Sequence, residues 1–334
     1  MAQEITLQKN YITQPVTSIY FGGGTPSIIP TSSLRVLLHA LRLHFFILPS
    51  AEVTLEANPD DITEEKIIAW KALGINRLSI GIQSFDSNCL TYMNRAHSAA
   101  QALTSVKTAI QYGITNLSID LIYGTPTLSN KQWITNINTA MQLGIQHLSC
   151  YALTVEPHTA LHTRIAQKKM QAVNPNKAAE QMELLMQLAP TLGLEHYEIS
   201  NLALTGYRSK HNSSYWQGVP YLGIGPSAHS YNGVSRQWNV SNNALYLQSL
   251  KNNTLPAEQE TLTLTQQCNE TIMTALRTIE GLNCKSIYQN YNYDLVPKAQ
   301  KYITQKLMLY TEPYLQLTTA GRLRADGIAA DLFL

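Results

Sequence analysis

Three polar side chains stand where apolar residues surround them: Glu56 in the run 51–58, Gln83 in 77–84 and Asp120 in 116–123. A lone polar group inside an apolar strand costs roughly 1–3 kcal/mol unless something pairs with it. Such residues, repeated at the ends of successive strand-like runs, predict a shared polar pocket. A fourth run, 147–154, ends in Thr154 and is followed by Glu156. Ahead of all four stands Tyr20-Phe21-Gly22-Gly23-Gly24-Thr25-Pro26. Glycines after a strand leave the backbone N–H groups uncovered, so that a ligand can approach them closely. The same stretch also reads as a tight strand-to-helix turn with no ligand.

A second group lies further on. His211-Asn212-Ser213-Ser214-Tyr215-Trp216 precedes a stretch rich in Gly, Ser and aromatic residues that contains His229. One reading is an axial imidazole beside an aromatic wall for a flat ring. The other is a loop whose aromatics pack on the body of the protein. The four cysteines, Cys89, Cys150, Cys268 and Cys284, show no metal-ligand spacing. Cys150 in an apolar run and Cys268 in an amphipathic helix read as buried, inert thiols.

The elements that must position these residues repeat. Val53, Leu55 and Ala57 alternate in a strand, Asp61-Ile62-Thr63-Glu64 has the form of a capping box, and Gly74 stops the helix. Capping boxes recur at Ser98–Gln101 and Ser129–Gln132, with stops at Gly113 and Gly144. The junctions Leu73–Ser79, Tyr112–Ser118 and Leu143–Ser149 echo one another, and Leu192–Tyr197 does so more faintly. This is βα alternation, and the strands read as apolar on both faces, as in a parallel α/β barrel. A further strand is predicted at 195–200, and residues 1–15 look like the last turns of a helix. Beyond residue 256, helices at 266–277, 286–293 and 297–307, a strand at 314–318 and a closing helix at 319–332 form a winged-helix-like pattern. Only Arg322 and Arg324 stand close together in that closing helix, which favours packing over DNA binding.

The chain has 334 residues, is 44% hydrophobic and carries a net charge of +2 without a basic block. That allows a large core and excludes nucleic-acid binding by bulk electrostatics. No apolar run has transmembrane length and no signal peptide is evident, so the expected location is the cytoplasm.

The segments Tyr20–Ser27, Leu55–Pro59, Leu78–Phe85, Met93–His97, Ile119–Pro126, Cys150–Pro157, His211–Trp216 and Gly223–Ser230 follow one another along the chain. Together they resemble the radical S-adenosylmethionine (SAM) proteins of the oxygen-independent coproporphyrinogen III oxidase family. The His-Asn-x-x-Tyr-Trp element looks like that of the HemW-type heme-chaperone branch. The resemblance implies a partial parallel (β/α)6 TIM-like barrel lacking its first βα unit, with a small, mostly helical, winged-helix-like C-terminal domain. The implied domains are a barrel over 1–200, a heme-loop and connecting segment over 201–255, and the C-terminal domain over 256–334.

The resemblance implies SAM contacts at Gly23, Gly24, Thr25, Glu56, Gln83, Arg95 and Asp120, with Thr154 a further candidate. It implies heme contacts at His211, Tyr215 and Trp216. The intact family holds a [4Fe–4S] cluster on a Cys-x3-Cys-x2-Cys loop, and this sequence contains no such loop. The expectation is therefore an N-terminally truncated chain or a decayed paralogue, with no metal ligands and no radical catalysis of its own. The expected function is to bind heme and SAM and to deliver heme to acceptor proteins of respiration, in peripheral contact with membrane-bound acceptors. Two alternatives are a coproporphyrinogen III oxidase of porphyrin biosynthesis and a cluster-free, non-catalytic heme- or SAM-binding protein.

Overall fold

The computed structural model describes residues 1–334. Seven strands form the main sheet: β1 (Val16–Phe21), β2 (Ile47–Ala57), β3 (Arg77–Gln83), β4 (Leu117–Tyr123), β5 (His147–Ala152), β6 (Glu195–His196) and β7 (Asn201–Ala203). Their order is β1-β2-β3-β4-β5-β7-β6. The fold is α/β, a partial TIM-like barrel with a helical C-terminal region. The chain divides into two compact units, one of residues 20–29 and 52–209, the other of residues 1–19, 30–51 and 210–334.

In the first unit β2 to β5 pair in parallel. The helices between them are set by local chemistry. Ser98 and Ser129 form complete capping boxes with Gln101 and Gln132. For the helix Glu64–Leu73 the cap is Thr63, which accepts the Lys66 N–H, and not Asp61. Asp61 instead accepts the Ser27 hydroxyl at 2.6 Å. Gly74 takes φ 93° at the helix end, a conformation open to glycine at little cost. Trp70 and Trp133 are fully buried between helices and sheet. Truncating either to Ala costs about 3–5 kcal/mol.

The strands are not apolar on both faces. Leu55, Leu78, Ile80, Leu117, Ile119 and Leu148 point to one side and are buried. The alternate positions carry Glu52, Thr54, Glu56, then Arg77, Ser79, then Ser118, Asp120, then His147, Ser149. Bonds across the strands confirm a shared face: Ser118 Oγ lies 2.7 Å from His147 Nδ1 and 3.4 Å from Ser149 Oγ. His147 Nε2 meets the Tyr197 hydroxyl at 2.8 Å. The inside of the barrel is thus a polar column, closed by the Glu52–Arg77 ion pair at 3.8 Å, both side chains buried.

After β5 the parallel pattern breaks. The strand expected over 195–200 is two residues long, and 201–203 returns antiparallel to both β5 and β6. Glu198 forces the reversal: its Oε1 accepts the Ser200 N–H at 3.1 Å and the Asn201 amide.

The second unit holds the helices Ala2–Leu7, Thr31–His44 and Lys210–Trp216. It has two small antiparallel sheets. One consists of β8 (His229–Tyr231), β9 (Ser235–Asn239) and β10 (Ala257–Thr261), the other of β11 (Leu282–Asn283), β12 (Met308–Thr311) and β13 (Tyr314–Leu317). Beyond residue 256 there are therefore four strands where the sequence showed one, and the closing helix is broken into Thr319–Arg322 and Ala325–Asp331. Glu4 is fully buried, and its carboxylate accepts the Gly225 N–H at 2.9 Å together with the Asn239 amide and the Tyr246 hydroxyl. No helix is long and apolar enough to cross a membrane.

Candidate functional site

The C-terminal ends of β2, β3 and β4 open into a pocket of about 180 Å3. Gly24, Thr25, Glu56, Gln83, Arg95 and Asp120 all line it, together with Asn58, Ser79 and Gly81. Seven of the eight residues implied as SAM contacts thus gather in one place, because Gly23 donates its N–H to Glu56 Oε2 at 3.2 Å. Thr154 does not join them: it is exposed beyond the end of β5 and is not part of the lining.

Each side chain is placed by a local device. The glycine turn follows β1, with φ 77° at Gly23 and 65° at Gly24, where no Cβ is easily borne. Tyr20, at the end of β1, donates its hydroxyl to Glu56 Oε1 at 2.7 Å. Burial first, and then the adjacent Glu56 carboxylate, push the Tyr20 phenol far above its usual range, so it stays a donor. Gln83 sits at φ 62° where the β3–β4 register slips between Ile80 and Gln83. Such a bulge re-aims a side chain at a strand end.

Arg95 comes from outside the sheet. The helix Ser87–Tyr92 ends near Asn94, whose φ of 55° swings the chain back. Arg95 Nη2 then donates to Asn58 Oδ1 at 2.9 Å and to the Gly81 carbonyl at 3.3 Å. A Cβ on Gly81 would stand 3.4 Å from that nitrogen and 2.9 Å from Gln83 Nε2, so glycine leaves the room both need. His97 fixes the same segment, its Nε2 lying 3.0 Å from the Ile82 carbonyl. Burial lowers its pKa and keeps the ring neutral.

Asp120 is the second carboxylate of the pocket. Ser79 Oγ donates to its Oδ1 at 3.3 Å. Burial, and then the neighbouring Glu56, push its pKa up to about 6, against the hydrogen bonds of Ser149 and Ser79. Two carboxylates and one guanidinium around a polar cavity suit a ligand that carries a positive group, a carboxylate and hydroxyls. Tyr20, Ser79, Ser149 and Gly81 were not singled out from sequence. The serines had a signal nonetheless, since Ser79, Ser118 and Ser149 occupy the same place in the three echoing junctions.

The His211 segment is a short helix and not a loop. His211 Nδ1 lies 3.1 Å from Ser18 Oγ, and its ring meets Tyr215 edge-on with centroids 5.0 Å apart. Tyr215 packs on Tyr221 at 4.6 Å. Trp216 turns elsewhere: the Arg277 guanidinium lies 5.3 Å from its ring centroid, and its buried Nε1 has no protein partner.

The cysteines are all free and buried. Cys89 and Cys150 belong to the barrel unit, Cys268 and Cys284 to the other. Cys89 Sγ accepts the Thr127 hydroxyl at 3.4 Å. Burial pushes Cys150 well above the ordinary thiol range and Cys284 up to about 11. No three His, Cys, Asp or Glu side chains are grouped to hold a metal.

Comparison with known proteins bears on the family and the fold. Residues 2–140 match the family model of the radical SAM superfamily. The heme chaperone HemW of Mycobacterium tuberculosis is 35% identical over 318 residues, which span 95% of this chain and 80% of that protein. The HemW of Bacillus subtilis is 32% identical over 319 residues, 93% of this chain and 84% of the relative. Among solved structures, coproporphyrinogen III oxidase (HemN) from Escherichia coli superposes with a TM-score of 0.83 at 21% identity, covering 99% of this chain and 81% of that one, and so shares the fold. With identity of this level sustained along nearly its full length, the chain belongs to the HemW heme-chaperone family of radical SAM proteins.

Proposed function

We propose that this chain binds heme and SAM and passes heme to acceptor proteins. The observation that carries the SAM half is the gathering of Gly24, Thr25, Glu56, Gln83, Arg95 and Asp120 around one polar pocket. SAM has an ammonium, a sulfonium, a carboxylate and two ribose hydroxyls, and these residues match it in kind. Glu56 and Asp120 would take the positive groups or hydroxyls, Arg95 the carboxylate, and the amides at Gly23 and Gly24 the methionine end. Gly23 and Gly24 have no atom within 4 Å of an ideal Cβ, so their backbone is open to a ligand. Bound SAM would supply the sulfonium chemistry of the superfamily; the chain's own residues orient it and keep its charge compensated.

The heme half rests on His211. A ligating imidazole is oriented through its second nitrogen, and Ser18 Oγ beside Nδ1 fits that role. Tyr215 and Tyr221 supply an aromatic surface next to it, and Trp216 carries a buried indole N–H without a protein partner. Heme acceptors of respiration, including membrane-bound ones, and a cytoplasmic site of action complete the proposal.

The four cysteines do not fit a [4Fe–4S] cluster. Such a cluster takes three thiolates from one loop, whereas each compact unit holds two cysteines, all buried on separate elements. This favours, as a second reading, a heme- and SAM-binding role without radical chemistry. Heme titration and SAM calorimetry on the purified chain test the proposal. Saturable binding of both at one site each supports it; failure of either removes that half.

A further inference from the structure

We propose that the pocket is a proton-linked cation site at mildly acidic pH, where Asp120 carries a proton while the pocket is free and surrenders it when a positively charged ligand enters beside Glu56. The inference rests on the reading of the pocket as the SAM site. It adds a property of this chain's own residues that can be measured apart from any turnover.

Glu56 and Asp120 face one small cavity. Glu56 is already served by two donors, the Tyr20 hydroxyl at 2.7 Å and the Gly23 N–H at 3.2 Å. Asp120 is served by neutral serines: Ser79 from β3 at 3.3 Å and Ser149 from β5. The charged and titratable groups around it are Glu56 from β2, Tyr20 from β1, Arg77 from β3, Cys150 and Tyr151 from β5, and Arg95 from the segment after Tyr92. Neither cation is in contact with it. Arg95 Nη2 is turned to Asn58 and the Gly81 carbonyl, and Arg77 sits beside Glu52. The two carboxylates therefore divide the work. Glu56 is tied to its two donors, and Asp120, served only by serines, holds a displaceable proton below about pH 6.

A ligand with net positive charge reverses the balance. Its field favours ionised Asp120, and the proton leaves to solvent through the open pocket. Charge is conserved in the site: one cation enters and one proton departs. A neutral nucleoside gives no such drive. Below the midpoint of the free carboxyl, affinity for the cation should rise with pH by nearly tenfold per unit, since one proton is exchanged for one ligand. Above about pH 7 it should be flat, because Asp120 is ionised before the ligand arrives.

The test is calorimetry of SAM and of adenosine with the full chain at several pH values, each in two buffers of different ionisation enthalpy. Expected is the release of close to one proton per SAM below pH 6, none at pH 8, and none for adenosine at any pH. Asp120→Asn should bind SAM with a pH-independent constant and no proton release. A second readout needs no ligand: the infrared band of a protonated carboxyl, present in the free protein at pH 5 and lost by pH 8, should be missing in Asp120→Asn. Ser149→Ala should keep the band and move its midpoint upward. Proton release that is unchanged in Asp120→Asn, or SAM binding with no proton release below pH 6, overturns the inference and leaves the SAM assignment standing. Absence of SAM binding across the whole range overturns both.

Discussion

Tyr20 and Glu56 face each other across the first two strands of the pocket, the phenol donating to Oε1 at 2.7 Å. The glycine turn then reaches the same carboxylate, with the Gly23 N–H on Oε2 at 3.2 Å. Glu56 is therefore the piece that ties the turn to the sheet, besides lining the cavity.

Removing the phenol should loosen that tie without emptying the pocket of charge. Tyr20→Phe is expected to weaken SAM binding by at most about 10- to 150-fold, the worth of one hydrogen bond to a charged group. Glu56→Ala should weaken it by more, and also leave the Gly23 amide without its partner. Calorimetry at pH 8, where Asp120 is ionised in either state, measures both.

Asp120 has a consequence for stability as well as for binding. Its pKa is raised on folding from 3.8 to about 6, so between those values the folded chain binds more protons than the unfolded one. The contribution is unfavourable to folding as pH rises through that window. Asp120→Asn should remove this part of the pH dependence and raise the urea midpoint at pH 7 relative to wild type. Equilibrium urea denaturation at pH 4, 5, 6 and 7 measures it; equal slopes with pH in both proteins would contradict the assignment.

His211 should be separable from its support. His211→Ala is expected to abolish the histidine-ligated heme spectrum. Ser18→Ala, which leaves the imidazole but not its 3.1 Å partner, should weaken heme binding on the order of 10-fold, as for other residues that orient a ligating histidine. Optical heme titration reads both. Equal affinity in wild type and His211→Ala would remove His211 from the site.

The cysteines make a chemical prediction. Anaerobic treatment of the chain with iron and sulfide should give no stoichiometric cluster absorbance, because the four thiols are buried and dispersed. A thiol reagent should react slowly with the folded chain and with all four cysteines once it is denatured. One cluster per chain after reconstitution would show the cysteine argument to be wrong.

Glu4 carries a large expected effect on stability. Its fully buried carboxylate serves the Gly225 amide, Asn239 and Tyr246 at once. Glu4→Ala strands the Gly225 N–H and the Tyr246 hydroxyl and leaves Asn239 Nδ2 with only the Gly225 carbonyl, and a loss of about 3 kcal/mol or more is expected. Thermal and urea unfolding measure it.

Much of this was legible in the order of residues, for a physical reason. Helix caps and stops are local, so Ser98, Ser129, Gly74, Gly113 and Gly144 marked the βα repeat correctly. The pocket residues Glu56, Gln83 and Asp120 were visible because a polar side chain in an apolar strand needs a partner. What sequence could not supply was the partner. The bond of Ser79 to Asp120, of Tyr20 to Glu56 and of Arg95 to Asn58 depends on strand register and on turns at Asn94 and Gln83, where distant segments meet. The reversal at Glu198 and the helix at His211 were hidden for the same reason, since a side chain bonding its own turn gives no periodic signal. The sequence by itself determined the βα frame and which groups the barrel must satisfy. Only the tertiary structure decided that its interior is a polar column and that two of its carboxylates face one cavity, because pairing across strands is set by the sheet and not by neighbours in the chain.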